Sequence, residues 1–180
     1  MPVYISLLRA INVSGKNTIK MSMLKSLYEE IGFTAVTTYI QSGNVVFKSQ
    51  HADTEFICSQ IKAGILAAFG LDITVIVLTE SQLAEVIKQN PFQNVADEKQ
   101  VYITYFEKAV QAVSMAEITS KATTGEQIEF TSENAYLYAA NGYGKTKLTN
   151  VFLERKLGVL ATTRNWNTTR KLYEMTQLIK

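Results

Sequence analysis

The chain has 180 residues, of which 47% are hydrophobic and 19% charged, a composition typical of a globular protein with a substantial core. One cysteine, Cys58, and one histidine, His51, exclude an internal disulfide and a structural zinc site. No stretch approaches the ~20 consecutive apolar residues of a membrane helix, and the start Met1-Pro2-Val3 has no signal-peptide pattern. We therefore expect a cytoplasmic protein with no membrane partner and no metal site.

The net charge of +2 is unevenly spread along the chain. Residues 1–28 carry +4 with no acid, residues 29–133 carry −8, and residues 134–180 carry +6. If the two basic ends meet in space, they form a positive surface that attracts anions. The alternative is that the lysines are scattered and only keep the surface soluble.

The first 78 residues predict the element order β-α-β-β-α-β. The strands are predicted over 2–11, 35–40, 44–48 and 72–78, and the helices over 21–31 and 53–69. The turn 41–44 joins two of these strands as a hairpin. Asp53 is predicted to cap the second helix and Gly70 to end it. Thr79 and Gln82 predict a capping box that opens a linking helix, which Pro91 stops.

The second half repeats this order. The strands are predicted over 100–106, 127–131, 134–140 and 159–163, and the helices over 109–120, 145–157 and 166–179. We therefore predict an α+β protein made of two tandem ferredoxin-like (βαββαβ) units with antiparallel sheets, a linking helix and a C-terminal helix. The predicted segments are 1–78, 79–98 and 99–180.

Polar residues should gather where strand 1 ends. In this topology strands 1 and 3 are antiparallel neighbours, so the end of strand 1 and the hairpin before strand 3 share one sheet edge. Gly15 and Gly43 let the backbone approach a ligand there, and amides and cations beside free N–H groups suit phosphate or carboxylate oxygens. The alternative is ordinary turn formers, with an arginine paired to an acid. The predicted ligand-binding residues are Arg9, Asn12, Lys16, Gln41, Ser42 and Asn44.

A second polar cluster is predicted in the second unit. Strand 134–140 and the last strand end at the same edge, each before a helix whose N-terminus favours anions. The predicted ligand-binding residues there are Lys145, Lys147, Arg164, Asn165 and Asn167. Gly144-Lys145-Thr146 resembles a P-loop, but Ala139 stands where that motif needs its first glycine and the inferred sheet is antiparallel. A nucleotide triphosphatase is therefore excluded, and only a weak phosphate cradle remains.

Catalytic machinery is thin. Trp166 either stacks a base or anchors the core. No nucleophile or carboxylate is evident beside His51, and no pair of carboxylates suggests a general acid and base. No cofactor and no catalytic residue can be named from the residues.

Five segments together resemble the domain-of-unknown-function 1697 family. They are residues 4–13 (YISLLRAINV) with Lys16-Asn17 and Lys20-Met21, 38–47 (TYIQSGNVVF), 90–92 (NPF), 144–148 (GKTKL) and 163–168 (TRNWNT). Ala10 and Ser14 stand where that family usually has glycine. The resemblance implies a bacterial, cytosolic protein with a duplicated ferredoxin-like fold, and it implies no activity.

Four functions follow as expectations. The first is binding of a small phosphate- or carboxylate-bearing ligand, a nucleotide for example. The second is nucleic-acid binding through the basic ends and a sheet that carries stacking aromatics. The third is an enzyme that uses Lys16, Lys145 or Arg164 to stabilise negative charge on its substrate. The fourth is an assembly role in which exposed sheet edges pair.

Overall fold

The computed structural model describes residues 1–95, 97–111 and 115–180. Within them the chain forms two four-stranded antiparallel sheets and six α-helices. The strands are β1 (Val3–Leu8), β2 (Thr34–Tyr39), β3 (Asn44–Lys48), β4 (Val75–Thr79), β5 (Val101–Phe106), β6 (Gln127–Phe130), β7 (Asn134–Tyr138) and β8 (Ala161–Asn165). The helices are α1 (Met21–Glu30), α2 (Thr54–Phe69), α3 (Glu80–Lys88), α4 (Met115–Thr119), α5 (Asn150–Leu157) and α6 (Trp166–Leu178).

The first compact unit comprises Met1–Glu85 and Lys171–Lys180. Its sheet has the strand order β2-β3-β1-β4, and β1 pairs antiparallel with both β3 and β4. The core beneath it contains an aromatic group in which the ring of Phe47 lies 5.4 Å from Tyr28 and 4.6 Å from Phe33. The Tyr28 hydroxyl shares a 2.8 Å hydrogen bond with Ser6, and burial raises the pKa of Tyr28. The phenol therefore stays neutral and fixes α1 against β1.

The second unit comprises Val86–Arg170. Its sheet has the strand order β6-β7-β5-β8, in which β5 pairs antiparallel with β7 and β8. One face of this sheet packs on a core that includes Leu137, Leu148 and Leu153. On β5 the Tyr105 hydroxyl shares a 3.0 Å hydrogen bond with Thr169, at the start of α6. The boundary between the units falls after Glu85, within the predicted linking helix, and Lys171–Lys180 belong to the first unit.

Most predicted elements are present with small shifts at their ends, and the local signals act as expected. Asp53 accepts from the N–H groups of Glu55 and Phe56, and Gly70 ends α2 in the left-handed conformation. The capping box is also present, because the Gln82 N–H donates to Thr79 Oγ1 and the Thr79 N–H donates to Gln82 Oε1.

Several boundaries differ from prediction. Strand β1 ends at Leu8 rather than at residue 11, and β4 begins at Val75 rather than at residue 72. Helix α5 begins at Asn150 rather than at 145, because Thr149 caps it by accepting from the Phe152 N–H. The last strand is β8, displaced toward the C-terminus so that it includes Arg164 and Asn165. Of the helix predicted over 109–120, the structure has α4, and residues 112–114 lie outside the described part of the chain.

The connection between β1 and α1 is a small hairpin held in an unusual backbone conformation. The Asn12 N–H donates to Asn17 O and the Lys16 N–H donates to Val13 O, so Ser14 and Gly15 form its tip. Both tip residues have positive φ, 51° and 74°, as a type I′ turn requires. Ala10, at φ 54°, joins them in the left-handed region, which costs an L-residue about 1–2 kcal/mol.

Replacing Ala10 with glycine should stabilise the protein, because glycine adopts positive φ without the Cβ clash. We expect a gain of about 0.5–1 kcal/mol in the free energy of unfolding, measured by urea denaturation. The matched control is Ala67→Gly at an exposed position of α2, which should cost about 1 kcal/mol. Equal losses from both substitutions would contradict the strained conformation of Ala10.

Two glycines with nearly equal φ should respond very differently to alanine. A Cβ on Gly43, at φ +70°, would lie 2.6 Å from Leu8 Cβ and 2.7 Å from Ile11 Cδ1, whereas a Cβ on Gly15, at φ +74°, would meet nothing within 4 Å. We expect Gly15→Ala to cost about 1 kcal/mol from backbone strain alone. Gly43→Ala should cost roughly 2–4 kcal/mol, because overpacking adds to the strain. Thermal unfolding of both variants tests the difference, and similar costs would contradict it.

Candidate functional site

The end of β1 and the β2–β3 turn lie together, as the topology predicts. Leu7 pairs with Asn44, and the Leu8 N–H donates to Gly43 O at 2.8 Å. The side-chain amide of Asn12 then donates to Gln41 O at 2.8 Å. The β1–α1 loop, residues 9–20, is therefore attached to the β2–β3 turn by a direct hydrogen bond.

The two predicted asparagines at this edge build the loops and do not face a ligand. Asn12 also donates to Ile19 O at 3.0 Å and accepts from the Ile19 N–H at 2.9 Å, so its amide and its carbonyl oxygen are both engaged. Asn44 is fully buried, and its amide donates to Tyr39 O and Ser42 Oγ. Their physical role is to fix the backbone shape at the sheet edge.

The two glycines of this edge also have different roles. Gly43 is packed against Leu8 and Ile11, which leaves no room for a ligand beside its backbone. Gly15 has open space around it at the hairpin tip. Only Gly15 therefore meets the expectation that glycine lets a ligand approach the main chain.

The accessible polar groups of this edge are at the hairpin tip. Lys16 is exposed, and within the described chain the N–H groups of Ser14 and Gly15 donate to no protein acceptor. Arg9 is half-buried, and its backbone N–H donates to Thr74 O at 2.9 Å. The two N–H groups of the tip and the Lys16 ammonium can hydrogen-bond oxygen atoms of an anion without rearranging the loop.

Lys20 is a further cation of this site that the sequence interpretation missed. It is exposed and is the residue immediately before α1, whose N-terminus has no side-chain cap. The bonds between Asn12 and Ile19 hold Lys20 next to the hairpin. The exposed acid Asp72, two residues before Thr74, is at the same end of the sheet. The three cations Arg9, Lys16 and Lys20 outnumber it there. The signal that could have found Lys20 was the acid-free run of residues 1–28.

Arg164 does not reach the surface beside Lys145, contrary to the predicted convergence. Antiparallel pairing places Arg164 opposite Ile103 and Asn165 opposite Tyr102, so Arg164 and Tyr102 point to opposite faces of the sheet. The ring of Tyr143, two residues before Lys145, lies 4.7 Å from the Tyr102 ring. The alternation of side chains along β8 therefore separates Arg164 from the 141–147 loop.

The environment of Arg164 is that of a core residue. It is 8% exposed, and its Nη1 donates to Thr162 Oγ1 at 2.7 Å and to Thr163 O at 2.9 Å. The guanidinium thus turns back along its own strand, away from the strand end. Burial lowers the pKa of Arg164 to about 10, which still leaves the group protonated at neutral pH. A ligand in solvent has no direct access to this charge.

The 141–147 loop has few of the features of a phosphate-binding loop. Residues Tyr143–Lys145 form a 3-10 turn, and α5 begins only at Asn150. The Lys145 N–H donates to Gly142 O, and the Thr146 N–H donates to Tyr143 O. Two backbone donors of the loop, those of Lys145 and Thr146, are therefore used within the turn, and no helix N-terminus adjoins it in the described part of the chain.

The remaining predicted residues of the second cluster divide between surface and structural roles. Lys145, Lys147 and Asn167 are exposed, and neither lysine forms a salt bridge within the described part of the chain. Asn165 caps α6, because its Oδ1 accepts from the Thr168 N–H at 2.8 Å. Trp166 is 5% exposed and therefore anchors the core, which is one of the two roles predicted for it.

No catalytic or metal-binding group emerges from the described residues. They contain no group of three or more His, Cys, Asp or Glu side chains suited to a metal ion. The ring of His51 packs 4.7 Å from Phe56, and the Cys58 thiol donates to Val75 O. Among the helices of the described ranges, none combines the length and apolar character that a membrane crossing requires.

Comparison with known proteins supports the fold and assigns no chemistry. No curated protein matches the sequence of this chain. A solved structure, that of conserved bacterial protein SP0830 from Streptococcus pneumoniae, is similar with a TM-score of 0.74 at 20% sequence identity, covering 97% of this chain and 98% of that chain. The family described as "Protein of unknown function (DUF1697)" matches residues 1–136, and the chain belongs to that family.

Proposed function

We propose that the chain binds a small ligand bearing a phosphate or carboxylate group at the β1–α1 loop. The observation that carries the proposal is the hairpin tip, where Ser14 and Gly15 present N–H groups that have no acceptor among the described residues, beside the exposed Lys16. Lys20 adds a second exposed cation at the entrance to α1. Consecutive backbone donors in a left-handed turn form the kind of concavity that takes anions.

The rigidity of the loop supports binding. The three side-chain hydrogen bonds of Asn12 anchor the base of the hairpin before any ligand arrives, which reduces the conformational entropy lost on binding. Hydrogen bonds to a charged acceptor contribute roughly 1.5–3 kcal/mol each in favourable settings and less where solvent screens them. For inorganic phosphate alone we expect a dissociation constant of about 1 mM.

The family and fold support further parts of the proposal. We propose that the two units are tandem ferredoxin-like repeats, since each sheet has the strand order of that topology. We also propose a bacterial, cytoplasmic protein, supported by the similar Streptococcus pneumoniae structure and by the single cysteine.

The alternatives have less support. Nucleic-acid binding on a sheet face requires exposed aromatics, but both faces are buried at Tyr4 and Ile5 of one sheet and at Thr104 and Tyr105 of the other. An enzyme acting on an anionic substrate has less support, because Arg164, one of its proposed electrostatic groups, is buried. Small-anion binding therefore accounts best for the accessible groups.

A thermal-shift titration with inorganic phosphate, pyrophosphate, nucleotides and small carboxylates tests the proposal. If 10 mM phosphate binds with a dissociation constant of about 1 mM, the folded state gains about 1.4 kcal/mol, a rise of roughly 3–6 °C in Tm. Lys16→Ala should reduce this rise by more than half, because it removes the cation beside the free N–H groups. Lys121→Ala, at an exposed lysine of the second unit, is the matched control and should leave the rise intact.

Nucleic acid is the second arm of the same titration. A rise with DNA or RNA that falls steeply with salt, while phosphate and carboxylates give none, would favour a polyanion interface instead. A Lys16→Ala variant that keeps the full response to phosphate would place the anion elsewhere. Either result contradicts the proposed site.

A further inference from the structure

The two sheets end in four edge strands, β2 and β4 in the first unit and β6 and β8 in the second. In an antiparallel sheet, alternate residues of a strand hydrogen-bond to its two neighbours. On an edge strand, every second residue therefore directs its N–H and C=O groups away from the sheet, and these groups need another partner. The four edges differ in how these outward groups are covered.

The direction of hydrogen bonding along β3 identifies the outward residue of β2. The Ser49 N–H donates to Pro2 O just beyond the paired residues of β1 and β3, so the odd-numbered residues of β3 bond to β1. The even-numbered residues of β3 therefore bond to β2, where their partners include Thr37 and Tyr39. Thr38, between them, directs its N–H and C=O groups to the free edge, and no described residue pairs with these groups.

Side chains cover the edge of β8. The Ala161 N–H donates to Glu154 Oε1 at 2.8 Å, and the Asn150 amide donates to Ala161 O at 2.8 Å. The next outward carbonyl, that of Thr163, accepts from Arg164 Nη1 at 2.9 Å. A further strand could pair with β8 only after these bonds were broken.

The edges of β4 and β6 are protected in other ways. On β4 the Cys58 thiol donates to Val75 O, and the Thr79 N–H donates to Gln82 Oε1, so both ends of this edge are occupied. Strand β6 has four residues and carries the exposed acid Glu129. A charge on an edge strand opposes pairing with another copy of the same strand.

Strand β2 lacks such protection along its regular part. Its sequence TAVTTY contains no charge and no proline, and Thr34, Ala35 and Thr37 are exposed. A bulge between Thr34 and Thr37, with Ala35 at φ 51°, interrupts the first half of the strand. The regular edge therefore runs over residues 37–39, with the open N–H and C=O groups of Thr38 at its centre.

We propose that the β2 edge pairs with β2 of a second copy of this chain, antiparallel and about a twofold axis at Thr38. In this register Thr38 meets its own counterpart, and the two residues exchange both N–H···O bonds. Thr37 then lies opposite Tyr39 of the second copy, a favourable pairing of a β-branched with an aromatic residue. A twofold axis brings identical residues together, so an uncharged edge suits a second copy where a charged edge would repel it.

The size of this contact makes the dimer weak. The pairing of so short an edge buries less than the roughly 1,000 Å² of a stable interface. We therefore expect a reversible dimer with a dissociation constant of about 0.1–0.5 mM. Small-angle scattering and NMR diffusion over a concentration series up to about 1 mM should show the mass doubling.

Thr38→Pro tests the main-chain bonds. Proline removes an N–H group that points away from β3, so the β2–β3 ladder stays intact and the fold is retained. Because both copies lose their donor, the dissociation constant should rise about tenfold or more. Thr38→Val keeps the N–H group and a β-branched side chain, and as the matched control it should leave the dimer unchanged.

Thr37→Lys tests the same edge without altering the backbone. Two lysines then approach each other across the twofold axis, and the dissociation constant should rise about threefold or more at low salt and recover at about 1 M salt. Gln127→Lys, at an exposed position of the edge strand β6, is the matched control and should have no effect. If Thr38→Pro lowers Tm so far that the chain unfolds, Thr37→Lys decides the question alone.

Three results would overturn the inference. The first is a chain that remains monomeric at about 1 mM, which would leave the β2 edge without a second copy. The second is a dimer that both Thr37→Lys and a folded Thr38→Pro leave intact. The third is a dimer that Gln127→Lys disrupts and Thr37→Lys does not, because the contact would then lie at β6.

Discussion

The candidate site depends on the side-chain amide of Asn12. Two of its hydrogen bonds join the two ends of the β1–α1 loop through Ile19, and the third attaches the loop to Gln41 in the β2–β3 turn. The backbone on either side adopts left-handed conformations at Ala10 and Ser14, which an unanchored loop would relax. One internally satisfied side chain thus holds the strained loop that presents Lys16 and the free N–H groups to solvent.

The position of this site was predictable because it follows from element order. Once the first unit is recognised as β-α-β-β-α-β, the end of β1 must adjoin the turn before β3, which brings Asn12 close to Gln41. The roles of individual residues were less predictable. In a sequence, asparagine and glycine are equally typical of a turn and of a ligand site. The packing of Gly43 against Leu8 and the burial of Asn44 show that these two residues have the structural role.

The second cluster shows why a strand boundary matters more than the presence of suitable residues. Ending the last strand at residue 163 would leave Arg164 in a loop, free to meet Lys145. In the structure β8 continues to Asn165. Because side chains alternate between the two faces along β8, Arg164 lies on the face of the sheet that Tyr102 does not share. A helix boundary likewise decides the environment of Lys145. Because Thr149 caps α5, the helix begins only at Asn150, and Lys145 does not precede a helix N-terminus as the lysine of a P-loop does.

The two departures from the family pattern, Ala10 and Ser14, have a backbone explanation. Both have positive φ, so glycine at these positions relieves strain whether or not a ligand approaches. In the described part of the chain, the N–H groups of Ser14 and Gly15 at the hairpin tip both have no protein acceptor. The glycine that the family usually has at positions 10 and 14 is therefore explained by the backbone conformation of the loop, without reference to a ligand. The proposed binding of an anion rests on Lys16 and Lys20 and on the N–H groups that the turn exposes.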